Sequence, residues 1–331
     1  MSEFARELTD LVRDMSKDAD TTSGGAVAQR RWEQLQELGL TGIAIAENAG
    51  GSGGSLADLI LVIRELARAG LNTPIVEASV AAYAVGAAPK GAFDTVVISH
   101  LAHLAPILSA DLGLITFAPM ARRVAIVGAA EVASLALADA TVDPLVDIAG
   151  LPAGHVRVNH APCAIHPQIS PNDVLERLTL TRSAALVGSA WAAYELTRSY
   201  VVERKQFGAP LMKLMPVRTG LAHMAIGIRA AQSALDRAVE LAVSVDSSPL
   251  QRFGAAASAR IAAAHMATLV ARTSHQLHGA VGITREYRLH RFTRSLWAHR
   301  DADRSEQDWN SRLGAVARTL DEDMLWEQLT N

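Results

Sequence analysis

Apolar side chains recur at helical spacing toward both ends of this chain and in short unbroken runs in its middle. Residues 3–15 place Phe4, Leu8, Leu11 and Val12 on one stripe, and 27–38 do the same with Val27, Trp32, Leu35 and Leu38. Gly39 stands where a helix C-cap is expected. The tract Gly50-Gly51-Ser52-Gly53-Gly54 then interrupts the chain before a further helix over 56–69. From Phe93 to His166 the texture changes. The runs Thr95–Ile98, Gly113–Phe117, Val124–Val127 and His155–Val158 alternate with Gly, Pro and Asp, which predicts a small unit of antiparallel strands.

The last half returns to helical spacing, with its starts marked by capping chemistry. Ser170-Pro171-Asn172-Asp173 offers an N-cap hydroxyl, a proline at the first helical position and an acid in the first turn. Ser248-Pro249-Leu250-Gln251 has the spacing of a capping box, and Ser305-Glu306-Gln307-Asp308 reads as another start. Helices over 171–205, 211–245, 249–278 and 306–328 follow, and long helices of similar length predict a four-helix bundle. The fold expected is mainly α with a small β unit. Its three parts are a helical domain over 1–90, a β-domain over 91–168 and the bundle over 169–331.

Composition narrows the partners rather than the chemistry. Half of the 331 residues are hydrophobic, a fifth are charged and the net charge is −3, as in an ordinary globular protein. No basic arm or basic aromatic stripe is present, which argues against nucleic acid. The first twenty residues carry charges throughout and lack an apolar h-region. The longest uncharged stretch, Thr95–Ala110, is too short to span a bilayer and is broken by Pro106. The single cysteine, Cys163, excludes an intrachain disulfide. A cytoplasmic protein without a membrane partner is expected.

Two segments of the helical half carry candidate chemistry. The first is Arg204-Lys205-Gln206-Phe207-Gly208-Ala209-Pro210-Leu211 and the second runs from Gln276-Leu277-His278-Gly279-Ala280 to Glu286-Tyr287. An arginine at a helix end can grip a phosphate with two parallel hydrogen bonds and a permanent charge. A neighbouring phenylalanine offers an apolar face, and glycines allow close backbone approach. In order and spacing, the two segments resemble the R-x-x-F-G-x-P-L and Q-x-x-G-G-x-G signatures of the acyl-CoA dehydrogenase family. Trp32–Gly54 is similar to a third, weaker stretch of that family. The resemblance implies an N-terminal helical domain, a middle β-domain and a C-terminal four-helix bundle. It also implies FAD as cofactor, with Arg204, Gln206 and Phe207 from one segment and Gln276 and Gly279 from the other against its ADP end. In the family that flavin is held mainly by a neighbouring subunit.

The departures from the family pattern matter equally. Met215 stands where a glutamine is usual, and Ala280 replaces the second glycine of the pair. The T-E-P-x-x-G-S-D-like loop and the G-x-K-x-[FY]-I-[TS] strand that cradle the flavin ring have no counterpart between Pro89 and Leu101, so the β-domain reads as truncated. Counting from the second motif places one family position for the catalytic base at Asp303, in a run that also reads as a solvated charged turn. The other position falls at Leu178, with Glu176 two residues early, where a first-turn acid is also favoured by the helix dipole. Taken with the missing segment, the base is expected on another chain.

The pairs His100/His103 and His275/His278 lack the carboxylates or cysteines of a metal site and read as packed or surface histidines. The resemblance thus implies the shortened subunit of a heteromeric acyl-CoA dehydrogenase. It would pair with a longer acyl-CoA dehydrogenase subunit in a heterotetramer, act on an acyl-CoA (bulky or steroid-derived) and pass electrons to an electron-transfer flavoprotein. Two alternatives are a self-sufficient homo-oligomeric enzyme using Asp303 or Glu176, and a flavin-free structural or binding protein on the same scaffold.

Overall fold

Helices begin at Pro171, Pro249 and Glu306, one residue after the three predicted caps, in the computed structural model, which describes residues 3–17, 24–101, 103–206 and 208–321. Ser248 Oγ accepts from Gln251 N at 3.1 Å while Gln251 Oε1 accepts from Ser248 N at 2.8 Å. Asp308 closes the same reciprocal box with Ser305, at 3.1 Å in each direction. These bonds satisfy amide donors that a helix start leaves without an intrahelical partner. The described chain divides into two units. One takes the residues before Arg64 together with Leu71–Thr181, and the other takes Arg64–Gly70 with the residues from Arg182 onward.

In the first unit, helices α1 (Glu3–Lys17), α2 (Gly25–Glu37), most of α3 (Leu56–Ala69) and α4 (Ile75–Val85) accompany two sheets. Val12 is buried, as its place on the α1 stripe requires; the side chains of Phe4 and Leu8 lie outside the described set. Trp32 is fully buried against Phe93, with ring centroids 5.2 Å apart, and its Nε1 donates to Gly91 O at 2.8 Å. One tryptophan therefore ties α2 to the entry of the first strand. The Gly50–Gly54 tract is a packed loop, as read from the sequence. Its amides of Gly50, Gly51, Ser52 and Gly53 donate to the carbonyls of Glu47, Ala46, Gly42 and Ile45. A Cβ on Gly51 would lie 2.1 Å from Ile45 O, so glycine is there to let two backbone strands touch. With these four amides committed, the tract does not present the run of free N–H groups that cradles a phosphate.

The strands are β1 (Thr95–Ile98), β2 (Ile107–Thr116), β3 (Arg123–Val127), β4 (Val132–Ala136), β5 (Ala140–Val146), β6 (Pro152–Pro162) and β7 (Ala164–Ile165). They form a sheet of order β1-β3-β4-β7 and another of order β2-β6-β5. The antiparallel expectation holds for every pair but one, since β1 runs parallel to β3. Its cause is the path of the chain: β2 belongs to the other sheet, so the return to β3 is a crossover, which is how parallel neighbours arise. Asp94, 5% exposed, anchors this corner by accepting from both Arg122 and Arg123.

In the second unit, α5 (Pro171–Glu203) continues from Arg182 beside α6 (Met215–Val243), α7 (Pro249–His278), α8 (Leu289–Asp301) and α9 (Glu306–Ala317). Between α5 and α6 lies a hairpin of β8 (Lys205–Gln206) and β9 (Ala209–Pro210). The fourth predicted helix, 306–328, appears as α9 ending at Ala317; residues 322–328 lie outside the described set. Helix α8 was not predicted. Glycines let α6 and α7 approach: a Cβ on Gly220 would meet Thr273 at 3.3 Å and one on Gly227 would meet Leu269 at 3.0 Å. Those pairings run in opposite senses, so the two helices are antiparallel. α5 joins them through Trp191 Nε1 donating to Gln232 Oε1 at 3.0 Å, and meets α8 where Ser189 and Ser295 hydroxyls lie 3.3 Å apart. The segment Pro249–Ile283 is long and apolar enough to cross a membrane by composition, and half of its most apolar window is buried within the protein. Its buried positions are mostly alanine, which fits a closely packed core helix.

Candidate functional site

The end of α5 and the end of α7 carry the two sequence segments, and the fold brings them to one cleft. α5 stops at Glu203, and the chain turns back at once through the β8–β9 hairpin, with Gln206 opposite Ala209. Gly208 sits in that turn at φ 78°, a conformation that favours glycine in a two-residue hairpin. Leu211 N donates to Arg204 O at 2.9 Å and Arg204 N to Tyr200 O at 2.8 Å, so the backbone of Arg204 is held on both sides. At the other segment, Gly279 ends α7 with φ 62° and ψ −144°. Its N–H is used by His275 O, and a Cβ there would meet nothing within 4 Å. Gly279 therefore turns the chain away from the helix and leaves the space beside it open, rather than offering its own amide.

Arg204, Gln206, Gln276 and Gly279 all line this cleft of about 780 Å³. Phe207, the fifth cofactor candidate, lies outside the described residues. Ala280 lines the cleft too, whereas Met215 is an exposed residue at the first position of α6. Among the described residues no carboxylate contributes to the lining. The sequence reading missed Arg272, which shares the cleft one helical turn before Gln276; the i, i+4 spacing to a candidate residue was the available signal.

One wall is aromatic. His278, 3% exposed, stacks on Tyr200 with centroids 4.4 Å apart and planes 22° apart, and Tyr287 tilts against it at 5.0 Å. His278 Nδ1 lies 2.8 Å from Ser274 O, which assigns its proton to Nδ1. Burial pushes the His278 pKa down, so the ring is neutral near pH 7 and acts as a flat wall. His275 bonds Thr293 Oγ1 through Nε2 at 2.9 Å, while His275 Nδ1 and His278 Nε2 are buried without a hydrogen-bond partner among the described residues.

The two base candidates stand apart from the cleft lining. Glu176 is a half-buried residue in the second turn of α5, within the first unit. Asp303 lies just beyond α8 at φ 66°, and its Oδ2 accepts from Arg182 Nε at 2.8 Å. Arg182 is buried, whereas Asp303 is an exposed residue whose side chain is 15% accessible, so the ion pair is partly buried at the edge of a polar turn. Beside it, Arg260 caps the end of α8 by donating to His299 O and Arg300 O, each at 2.9 Å. One oxygen of the Asp303 carboxylate is thus already committed to a guanidinium.

His299 is enclosed by this network, and burial, with Arg182 and Arg260 nearby, pushes its pKa down to about 3. A depressed histidine pKa means that the unfolded chain binds the proton more tightly. Its contribution is complete above the unfolded value of about 6.5 and is lost as pH falls toward 3, with a slope of at most ~1.4 kcal/mol per pH unit. Urea unfolding at pH 7 and pH 5 should show lower stability at pH 5, and His299→Gln should flatten that difference. An unchanged slope in the variant would remove His299 from the account.

Comparison with known proteins agrees with this arrangement. Residues 2–88 match the family description "Acyl-CoA dehydrogenase, N-terminal domain" and residues 172–300 match "Acyl-CoA dehydrogenase, C-terminal domain". Acyl-CoA dehydrogenase IpdE2 of Mycobacterium tuberculosis is 27% identical over 266 residues, covering 78% of this chain and 77% of that protein. A structure of a variant of the Tcur3481-Tcur3483 steroid ACAD aligns with TM-score 0.85 at 23% identity, over 95% of this chain and 98% of that one. The ChsE4-ChsE5 complex from Mycobacterium tuberculosis aligns with TM-score 0.82 at 20% identity, over 97% and 99%. At such identities these two structures speak for the fold. With the two domain matches flanking the β-rich middle and both signature segments meeting in one cleft, the chain belongs to the acyl-CoA dehydrogenase family.

Proposed function

We propose that this chain is the shortened subunit of a heteromeric acyl-CoA dehydrogenase, and that its cleft completes the ADP end of an FAD held mainly by a longer partner subunit. The observation that carries this reading is the meeting of Arg204, Gln206, Gln276 and Gly279 in a cleft without a carboxylate. The donor set fits the group. Guanidinium suits the pyrophosphate, the two glutamine amides can donate or accept at ribose or phosphate, and the Tyr200–His278 stack gives a flat apolar wall. FAD when bound supplies the hydride acceptor for α,β-desaturation of an acyl-CoA. This chain's residues bind and orient the cofactor's far end and exclude water there.

The absence of the flavin-ring segments from the sequence and the ion-paired state of Asp303 favour a base on the partner. Two of the structural neighbours are named as two-component assemblies, one of them as a steroid enzyme, which supports a bulky, steroid-derived acyl group as the substrate class. Electrons would pass to an electron-transfer flavoprotein.

Purification with and without the partner subunit, followed by the visible flavin spectrum, tests this reading. Flavin is expected in the co-purified complex only. A yellow, active preparation of this chain alone would establish the self-sufficient enzyme. A colourless, inactive complex would leave the flavin-free scaffold protein.

A further inference from the structure

Several arginines around the bundle are engaged within the chain. Arg260 holds the end of α8, Arg182 pairs with Asp303, and Arg229 and Arg300 lie over the rings of Trp191 and Trp297 at 4.8 and 4.2 Å. Arg204 and Arg272 are the exceptions in the cleft: both are exposed, and among the described residues neither guanidinium has a hydrogen-bond or ion-pair partner. They come from different elements, one from the turn after α5 and one from the last two turns of α7. Two like charges facing one cavity without a carboxylate repel each other, and an anion between them relieves that repulsion. Thr273 and Gln276 beside Arg272 add neutral hydrogen-bonding groups along the same wall. A diphosphate can present a separate phosphate group to each guanidinium, whereas a monophosphate offers a single group to the pair.

We infer that Arg272 is the second phosphate contact of this cleft, so that the site takes a nucleoside diphosphate end in preference to a monophosphate. Arg204 grips one phosphate and Arg272 the other, while Tyr200 and His278 wall the cleft. The inference rests on the reading of the cleft as the cofactor's ADP site, but it assigns selectivity to a residue outside both signature segments.

The test is calorimetric titration of the full chain with ADP and with AMP. The wild type should bind ADP about tenfold or more tighter than AMP, the scale of one charged hydrogen-bonded contact. Arg272→Gln should bring the two ligands to within about threefold of each other, chiefly by weakening ADP. Because Arg272 is exposed, the variant should melt with the wild type. Should it fail to fold, Arg272→Lys, which keeps the charge without the planar fork, should lose part of the preference. Full retention of the ADP preference in whichever variant folds, or a wild type that binds both nucleotides equally or binds neither, overturns the inference. A colourless co-purified complex together with an Arg272-dependent ADP preference would instead sink the flavin reading and leave this one standing.

Discussion

Asp303→Asn should lower the stability of this chain by roughly 1–3 kcal/mol, below the ~3–5 kcal/mol of a fully buried ion pair because Asp303 is itself an exposed residue. The substitution removes one charge and little else. Asparagine has nearly the same shape and tolerates the left-handed backbone that position 303 adopts at φ 66°. Arg182, 5% exposed, loses the Asp303 carboxylate while its charge stays inside the protein near His299 and Arg260. Arg182→Met should cost no more than this, because the Asp303 carboxylate it leaves can be solvated. Denaturant unfolding of the purified chain measures both. In the co-purified complex, the desaturation rate per bound flavin should fall no further than the unfolded fraction explains. A loss of several orders of magnitude in rate with stability intact would make Asp303 the base and overturn the assignment of that role to the partner.

The same pair shows where sequence reasoning stops. Arg300–Arg304 reads as a polar turn, and nothing near it announces that Asp303 pairs with Arg182, 121 positions away on another helix. Local pattern could not find it. Helix α8 was hidden for a related reason. Leu289, Phe292 and Leu296 form its buried stripe, but the arginines and histidines between them mask the period. β5 went unread because it holds Asp143 and Pro144, and proline is tolerated there since β5 is the edge of its sheet. Cap residues, by contrast, act over three positions, so the starts after Ser170, Ser248 and Ser305 were legible. The cleft falls between these cases. Its signature residues were readable as two segments, and their meeting was implied only by family resemblance. Arg272 became visible once the face of α7 was known. Gly188 is the extreme: a Cβ there would lie 2.1 Å from Arg64 O, a close approach that no neighbouring residue in the sequence announces.

Arg204→Ala should strip FAD from the co-purified complex, weakening its retention roughly 10- to 150-fold, the equivalent of about 1.5–3 kcal/mol for a hydrogen-bonded contact to a charged group. The effect should be on binding and not on folding. Arg204 is exposed, its guanidinium holds nothing within the chain, and its backbone stays fixed by Tyr200 O and Leu211 N. Alanine is compatible with such a helix-end position, so the β8–β9 hairpin and the neighbouring Gln206 should persist. Flavin absorbance per complex after exhaustive dialysis is the readout, with the melting temperature as control. Added FAD should restore both colour and desaturation, because the loss is one of affinity. A variant that keeps full flavin after dialysis would show that the partner holds the cofactor unaided, and the cleft between α5 and α7 would then need another ligand. If the expected loss is found, the cofactor of the proposed partner needs this chain's cleft, which would give the proposed pairing of two chains its physical basis.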